Sequence, residues 1–581
     1  MSLIWKKVTG NKYLLLLALF SIFITWPLFL PGYFPHHDDL QVMRILEMRK
    51  CFEDGQIPCR WIPDMGLGYG FPLFNYYSVL PYVVGALLSY PLGFIGAAKA
   101  LFFIPLFLGG FSMYFLLKEL FKGQMAAFFG AVLFLFAPYR AVDSYVRGAI
   151  SESFAIAIVP LVFLFSLKLI RIRSLKNLLL TAIFLGLFLL CHNIMSLFFM
   201  PFLILWIIFW MWHEKRFPIK HIFVSILLGV GLAAFFILPA FLEKNLVHID
   251  TLTQTNLDFR IHYSAVNQLF FDRSWGYGPS RSGINDGMSF QLGFPHWVLA
   301  LVAFLVSLAG FFKIKLFNKY REEALQKDYL LPIFISVIFL VSIFMIHNKS
   351  AFVWESIRSL QFAQFPWRFL SVVIFTNSIL GAFFISIFKF RIQKIMVIIL
   401  TILTVFLNWS YFKPEKFYLD MTDSKKLTGK DWVIQQEAAI WDYLPKSATE
   451  APKTLADGKY QLLTPNTAIV NNVQSGTNFF NMDVKVIDHT ILRFNQIYFP
   501  EWKIFVNGKE EKFESKDNSF GLMSLILGEG DYRIEAKLYD TPIRFVSNLI
   551  SLFSLIVLLG LMTIQIPKIK KYLSYYLKSL S

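Results

Sequence analysis

Apolar residues in this chain come in long unbroken runs, not in the alternation of a sheet or the one-sided stripe of a soluble helix. The runs lie near 13–31, 96–117, 124–138, 153–170, 176–191, 195–212, 221–241, 294–312, 329–346, 367–388, 392–409 and 543–565. A helix crosses the hydrocarbon core of a bilayer with roughly 20 such residues. The pattern therefore predicts a polytopic α-helical membrane protein with about twelve transmembrane helices. One further apolar stretch, 73–94, is ambiguous. It contains Pro81 and Pro91 and follows Pro72. Proline removes a helix hydrogen bond, and irregular backbone at membrane depth persists only when buried in protein or lining a cavity. The stretch reads as a re-entrant or surface-lying helix.

Between 410 and 542 the pattern changes to short alternating runs, among them Val484-Lys485-Val486, Ile491-Leu492-Arg493-Phe494 and Tyr532-Arg533-Ile534-Glu535-Ala536. Asn507-Gly508 and Gly528-Glu529-Gly530-Asp531 punctuate them as turns. A small antiparallel β domain is predicted there. The chain thus divides into a transmembrane domain, 1–409, with a long first loop at 32–95, a β-rich domain at 410–542, and a final helix with a basic tail at 543–581.

Charge decides which side each loop occupies. The formal net charge of +17 is not a nucleic-acid footprint, because much of it sits in short clusters between apolar runs. These are Lys6/Lys7/Lys12, Lys118/Lys122, Arg171/Arg173/Lys176, Lys215/Arg216/Lys220, Lys313/Lys315/Lys319/Arg321, Lys389/Arg391/Lys394 and Lys568/Lys570/Lys571. Positive residues stay on the cytoplasmic side. With 73–94 left uncounted, every cluster falls on that side of a plasma membrane, and both termini are cytoplasmic. Loops 32–95, 139–152, 242–293 and 347–366, a turn at 191–195 and the segment 410–542 then lie outside. The first run ends in Pro31-Gly32, not a small-x-small cleavage site, and reads as a retained signal anchor. Cys51 and Cys59 are either bridged in the first loop or two separate thiols; with Cys191 they fit no zinc motif.

The chemistry-bearing residues gather on the predicted outer side. His36-His37-Asp38-Asp39 directly follows the first run. One acid of the pair can be a helix cap, since Asp38-x-x-Gln41 has the spacing of a capping box. That leaves the second unexplained. A carboxylate at a membrane surface can instead deprotonate a hydroxyl acceptor or bind a divalent cation. Further along the loop, Gly66-Leu67-Gly68-Tyr69-Gly70-Phe71-Pro72-Leu73-Phe74-Asn75-Tyr76-Tyr77 is aromatic and uncharged. Arg147 and Glu152 in the second loop are either an interfacial ion pair or a phosphate-binding arginine with its supporting carboxylate; the planar guanidinium fork suits phosphate. His192-Asn193 interrupts an apolar stretch; it is either a satisfied structural histidine, the usual case, or, at the outer ends of two spans, a group at the mouth of a site. Arg368, inside Gln364-Phe365-Pro366-Trp367-Arg368-Phe369, is either an interface anchor or a contact to a lipid-linked phosphate.

Several of these segments together carry a resemblance. His37-Asp38-Asp39 with Gln41 and Arg44, Gly55-Gln56-Ile57-Pro58-Cys59-Arg60-Trp61, and Gly68 to Tyr77 resemble a bacterial and archaeal membrane-protein family labelled 6-pyruvoyl-tetrahydropterin synthase-related. Tyr145-Val146-Arg147-Gly148-Ala149 with Glu152, Gln364 to Arg368, and Tyr498-Phe499-Pro500-Glu501-Trp502-Lys503 with Val506-Asn507-Gly508 fit it too. The label does not imply pterin chemistry, which needs a soluble fold and a three-histidine zinc site. The architecture is similar to the GT-C glycosyltransferases, with their many-helix membrane domain, acidic motif in the first outer loop and C-terminal extracytoplasmic domain. The resemblance implies transfer of a sugar from a polyprenyl-phosphate donor to an extracytoplasmic acceptor. No Trp-Trp-Asp motif of the oligosaccharyltransferase kind occurs, which argues against a peptide sequon acceptor. Asp38 or Asp39 would be the base, with a divalent cation as an optional ligand of the pair. Arg44, Arg60, Arg147 and Arg368 would clamp phosphate, and His37, Tyr69, Asn75, Tyr76, Glu152 and His192 would complete the substrate site. A transporter or flippase would instead carry charge within its spans, and a non-catalytic assembly factor would keep the fold alone.

The side on which the basic clusters lie is directly testable. A cysteine introduced beside Lys122 is expected to react only with reagent supplied from the cytoplasmic side. Labelling from outside would overturn the twelve-span topology and make 73–94 a span.

Overall fold

Every one of the twelve apolar runs is helical in the computed structural model, which describes residues 12–312, 314 and 329–578, with side chains through residue 564. Lys6, Lys7, Lys313, Lys315, Lys319 and Arg321 lie outside the described residues, and the side chains of Lys568, Lys570 and Lys571 lie beyond the described side chains. Among the described residues seven helices are long and apolar enough to cross a membrane, and up to ten if three sharply bent pairs each count as one span. Lys12–Ile24 and Leu175–Cys191 are shorter apolar helices. The helices Ile150–Arg171 and Leu370–Ser386 form the buried centre. Those at the periphery turn apolar side chains outward, with Ile402, Phe406 and Phe553 63, 72 and 68 % exposed. A broad exposed apolar belt of this kind is what a lipid-facing surface requires.

The bent pairs have local causes. Gln124–Leu135 meets Pro138–Arg147 at 48°. Pro138 drives the preceding Ala137 out of the helical region, to φ −62° and ψ 130°. Ile219–Leu232 meets Ala234–Leu242 at 74°. A break here frees backbone groups that lipid cannot satisfy. Ser551 of the last helix supplies the partners: its hydroxyl donates to the Gly231 carbonyl at 2.9 Å and accepts from the Phe235 N–H at 2.8 Å.

The ambiguous stretch resolves into a short helix, Leu73–Tyr76, and the first part of a long one, Leu80–Phe121. The long helix is broken at Gly93, where φ is 70° and ψ 177°. Before the break, Gly85 lets the Ile45 side chain of the loop helix Gln41–Glu53 pack against it closely. After the break the helix starts afresh, and its first free N–H groups, those of Phe94 and Ile95, are both accepted by the Asp423 carboxylate at 2.8 Å. A Cβ at position 93 would lie 2.7 Å from that carboxylate. The loop 32–95 also carries the Cys51–Cys59 bridge, with its Cα atoms 5.5 Å apart.

The C-terminal β region appears where alternation predicted it. Eight antiparallel strands form two sheets. The strands are β1 (Tyr460–Leu462), β2 (Ala468–Ser475), β3 (Phe479–Val486), β4 (Thr490–Ile497), β5 (Trp502–Val506), β6 (Lys509–Glu511), β7 (Leu522–Leu527) and β8 (Gly530–Leu538). One sheet runs β2-β3-β8-β5-β6 and the other β1-β4-β7. Asn507-Gly508 makes the two-residue turn between β5 and β6, both residues with positive φ, as a tight hairpin requires. The core between the sheets is shared with the first loop, since Trp61, Leu67, Tyr69 and Tyr76 pack with Phe480, Phe494 and Trp502.

Asp423 therefore acts as a helix cap supplied from a distant part of the chain. Asp423→Ala is expected to cost about 1 kcal/mol, and Gly93→Ala more, because strain at positive φ adds to the clash. Both would lower the thermal midpoint in detergent; two unchanged midpoints would contradict the capping account.

Candidate functional site

Loop 32–95 is stitched to the helices by backbone hydrogen bonds. The His37 N–H donates to the Val146 carbonyl and the Asp38 N–H to the Arg147 carbonyl, each at 3.0 Å. The Gln41 amide donates to the Gly148 carbonyl at 2.8 Å. The receiving segment was expected to be a loop but is helical through Arg147. One α-turn, Pro138–Ala141, continues as a π-helix, Val142–Arg147, which ends at Gly148 with φ 67°. A Cβ on Gly148 would lie 2.1 Å from His36 Nδ1, so only glycine allows the two segments to meet.

This docking sets two ion clusters side by side. Asp38 does not cap the helix Gln41–Glu53, whose N-cap is Leu40. Its two oxygens accept from Arg44 Nη1 at 2.6 Å and Nη2 at 2.9 Å. Tyr77 donates to the same carboxylate at 3.3 Å, and its ring lies 4.3 Å beneath the guanidinium. Burial alone would push the Asp38 carboxyl up, but Arg44 outweighs it and holds the group below its usual range. In the second cluster, fully buried Glu152 accepts from Tyr139 at 2.6 Å and from Arg147 Nη1 at 2.9 Å. Arg147 also donates to Asp143 and lies 4.6 Å over the Trp367 ring. Arg368 Nη1 donates to the Ala363 carbonyl at 2.9 Å. Its buried Nε, 3.5 Å from Glu152 Oε2, makes no hydrogen bond with the described residues.

Both clusters open onto one cavity of about 1000 Å³. His37, Asp38, Arg44, Tyr76, Arg147, Glu152, His192 and Arg368, all expected at the site, line it. Ala240, Phe241, Leu252, Leu257 and Ile261 give the same cavity an apolar wall. His37 donates to the Tyr277 carbonyl at 2.8 Å. His192 sits between two helices, its Nδ1 accepting from the Met195 N–H at 3.3 Å. Burial pulls its imidazole down to about 3 against the opposing pull of Glu152, so it is uncharged at neutral pH.

Four expected residues lie elsewhere. Asp39 turns away to Lys426, whose Nζ donates to it at 2.8 Å. Arg60 donates to Asn548 at 2.8 Å, and Asn75 donates to the Arg60 carbonyl at 3.1 Å. The Tyr69 carbonyl accepts from the Ile497 N–H and the Gln496 amide, each at 3.0 Å. The aromatic glycine-rich loop is thus chiefly the seat of the β region, and only its end, at Tyr76, reaches the cavity. Among the described residues no group of three His, Cys, Asp or Glu side chains is placed to hold a metal ion. With Asp38 clamped by Arg44 and Asp39 facing Lys426, the acidic pair does not fit a divalent cation. The sequence reading missed Asp442 and Tyr443, which enter the cavity from the segment before β1. Tyr443 stacks on Tyr76, with ring centroids 5.4 Å apart. Their sole signal in the sequence is one acid between two aromatics, Trp441-Asp442-Tyr443.

A family model described as a 6-pyruvoyl-tetrahydropterin synthase related domain of a membrane protein matches residues 74–414. An uncharacterized protein of Lactococcus lactis subsp. cremoris is 23 % identical over 284 residues, which are 47 % of this chain and 45 % of that protein. The match thus spans under half the relative's length. Among solved structures, the arabinofuranosyltransferase AftD from Mycobacteria is similar over 71 % of this chain and 28 % of its own, at 14 % identity and a TM-score of 0.42. The Archaeoglobus fulgidus oligosaccharyltransferase is similar over 74 % of this chain and 57 % of its own, at 12 % identity and a TM-score of 0.36.

The buried cluster is balanced by Glu152. Removing one partner of a buried ion pair typically costs roughly 3–5 kcal/mol, because the other charge is stranded. Glu152→Gln is expected to lower thermal stability by that order; a variant as stable as wild type would show that Arg147 does not depend on it.

Proposed function

The chain belongs to the 6-pyruvoyl-tetrahydropterin synthase related family of membrane proteins, and on that premise we propose that it transfers a sugar from a polyprenyl-phosphate donor to an acceptor hydroxyl on the outer side of the membrane. The observation that carries the reading is the composition of the cavity. Guanidinium groups and carboxylates share one chamber with an apolar wall, which suits a ligand that is anionic at one point and hydrocarbon beyond it. Arg368, with an unsatisfied donor, and Arg147 are the phosphate ligands of this account; Arg44 also has an unsatisfied Nε and adds positive charge, but both its terminal nitrogens are committed to Asp38.

The chemistry follows from those placements. Sugar transfer from a phosphate builds positive charge at the anomeric carbon while negative charge grows on the departing phosphate. Fixed arginines stabilise the leaving group without reorganising. Asp38, held ionised by Arg44, offers a fixed negative charge for the anomeric centre. The low-dielectric protein around the chamber strengthens both effects.

Two variants in intact membranes test this. Asp38→Asn is expected to cut transfer of labelled sugar from a polyprenyl-phosphate donor by on the order of 10²-fold. Arg368→Gln is expected to weaken undecaprenyl phosphate binding by about 10- to 10²-fold, the worth of a charge-assisted hydrogen bond. Full activity in both would dismiss the site. Wild-type protein that transfers no sugar but moves lipid between leaflets would favour a transporter.

A further inference from the structure

Asp38 and Glu152, the carboxylates that the sequence placed in the cavity, are already engaged. Asp38 is bound through both oxygens by Arg44, and Glu152 accepts from Tyr139 and Arg147. A carboxylate so bound is a poor proton acceptor, because protonation must break charge-assisted bonds. Asp442 differs. It lines the same cavity, is half-buried, and its carboxylate accepts no hydrogen bond from the described residues.

The backbone places it there firmly. Ala439, also in the cavity lining, has φ 58°, a conformation rare for a residue with a Cβ. The Asp442 N–H closes the turn by donating to the Ala439 carbonyl at 3.1 Å. Just beyond, the Leu444 carbonyl accepts from the His248 N–H at 2.9 Å, and Tyr443 is stacked on Tyr76. A turn with a residue at positive φ, followed directly by two anchored residues and carrying an unbound acid, is the arrangement expected where geometry serves function. Asp442 arrives from the β-region side of the cavity, whereas Arg147, Glu152 and Arg368 belong to the helical side.

We propose that Asp442 is the catalytic proton acceptor of the cavity, taking the proton of the acceptor hydroxyl as that oxygen attacks the donor sugar. This rests on the sugar-transfer reading above. The acceptor oxygen forms its bond to the anomeric carbon, and the bond from that carbon to the phosphate oxygen breaks. The electron pair leaves with polyprenyl phosphate, and the proton passes to the Asp442 carboxylate. No metal or redox partner is required for this balance.

The surroundings tune the group to the task. Burial raises the Asp442 carboxyl to about 6; Arg44 opposes the rise and the negative Asp38 adds to it. Tyr443 neighbours it on its own segment, Arg147, Glu152, His192 and Arg368 face the chamber from the helices, His37 from the first loop, and Lys244, His262 and Arg281 from the loop 242–293. A base poised near neutrality combines the ionised form with real proton affinity. The ionised form is the active one, so the rate rises with pH up to about 6 and is level above it.

The test uses the full chain in membrane nanodiscs with labelled undecaprenyl-phosphate sugars as donor and envelope membranes as acceptor. Asp442→Asn should lose at least about 10²-fold in kcat, the usual share of general base catalysis. It should bind undecaprenyl phosphate as wild type does, which excludes misfolding as the cause, and its residual rate should lack the acid limb. Asp442→Glu should recover part of the rate. If wild type transfers sugar and Asp442→Asn keeps its rate or its acid limb, this proposal alone is overturned. If wild type transfers none of the sugars to any acceptor membrane, the sugar-transfer reading is overturned and this one with it.

Discussion

The contact on which the site depends is backbone to backbone. Two N–H groups of loop 32–95, at His37 and Asp38, donate to the carbonyls of Val146 and Arg147 at the end of a π-turn. A π-turn widens the helix and is common where a helix serves a site. Gly148 ends this one with positive φ and leaves room for the His36 ring. Without that register Asp38 and Arg44 would be one ion pair on a loop, and Arg147 and Glu152 another inside a bundle. Docked, they share a chamber.

Placing so many charges together carries a desolvation cost that pairing only partly offsets. The protein answers with near balance, Arg44 against Asp38, and Arg147 with Arg368 against Glu152 and Asp143. Arg44 and Arg368 each keep a buried Nε unsatisfied, and Arg368, 3.5 Å from Glu152, is the more loosely held of the two. An anion would complete the balance. The β region contributes through the same economy of contacts. Its seat is the aromatic loop, and the segment leading into it carries Lys426 to Asp39, Asp423 to the helix start at Phe94, and Asp442 into the cavity. Helical and β regions are therefore coupled at the site.

Most of the fold was legible in the sequence because its signals are local. Unbroken apolar runs gave the helices, and alternation with Asn507-Gly508 gave the hairpin of β5 and β6. What was illegible is long-range. Nothing near Pro138 announces a π-turn, and nothing near Ser551 says that it repairs a break more than 300 residues away. For the site, charge rarity at a membrane was a good guide: His37, Asp38, Arg44, Arg147, Glu152, His192 and Arg368 meet. Adjacency was a poor one, since Asp38 and Asp39 point to different partners. Tyr69 and Asn75 looked like substrate contacts because loop aromatics and amides serve binding and packing alike, and here they pack. Asp442 was missed because a lone acid in an ordinary loop has no period, spacing or pair to mark it.

The most direct test of the account is a structure determined with undecaprenyl phosphate bound. The account predicts the phosphate inside the chamber, within hydrogen-bonding distance of Arg368 and Arg147, with the first prenyl units along Phe241 and Leu252. A phosphate bound elsewhere, with Arg147 and Arg368 still closed on Glu152 and the chamber empty, would contradict it.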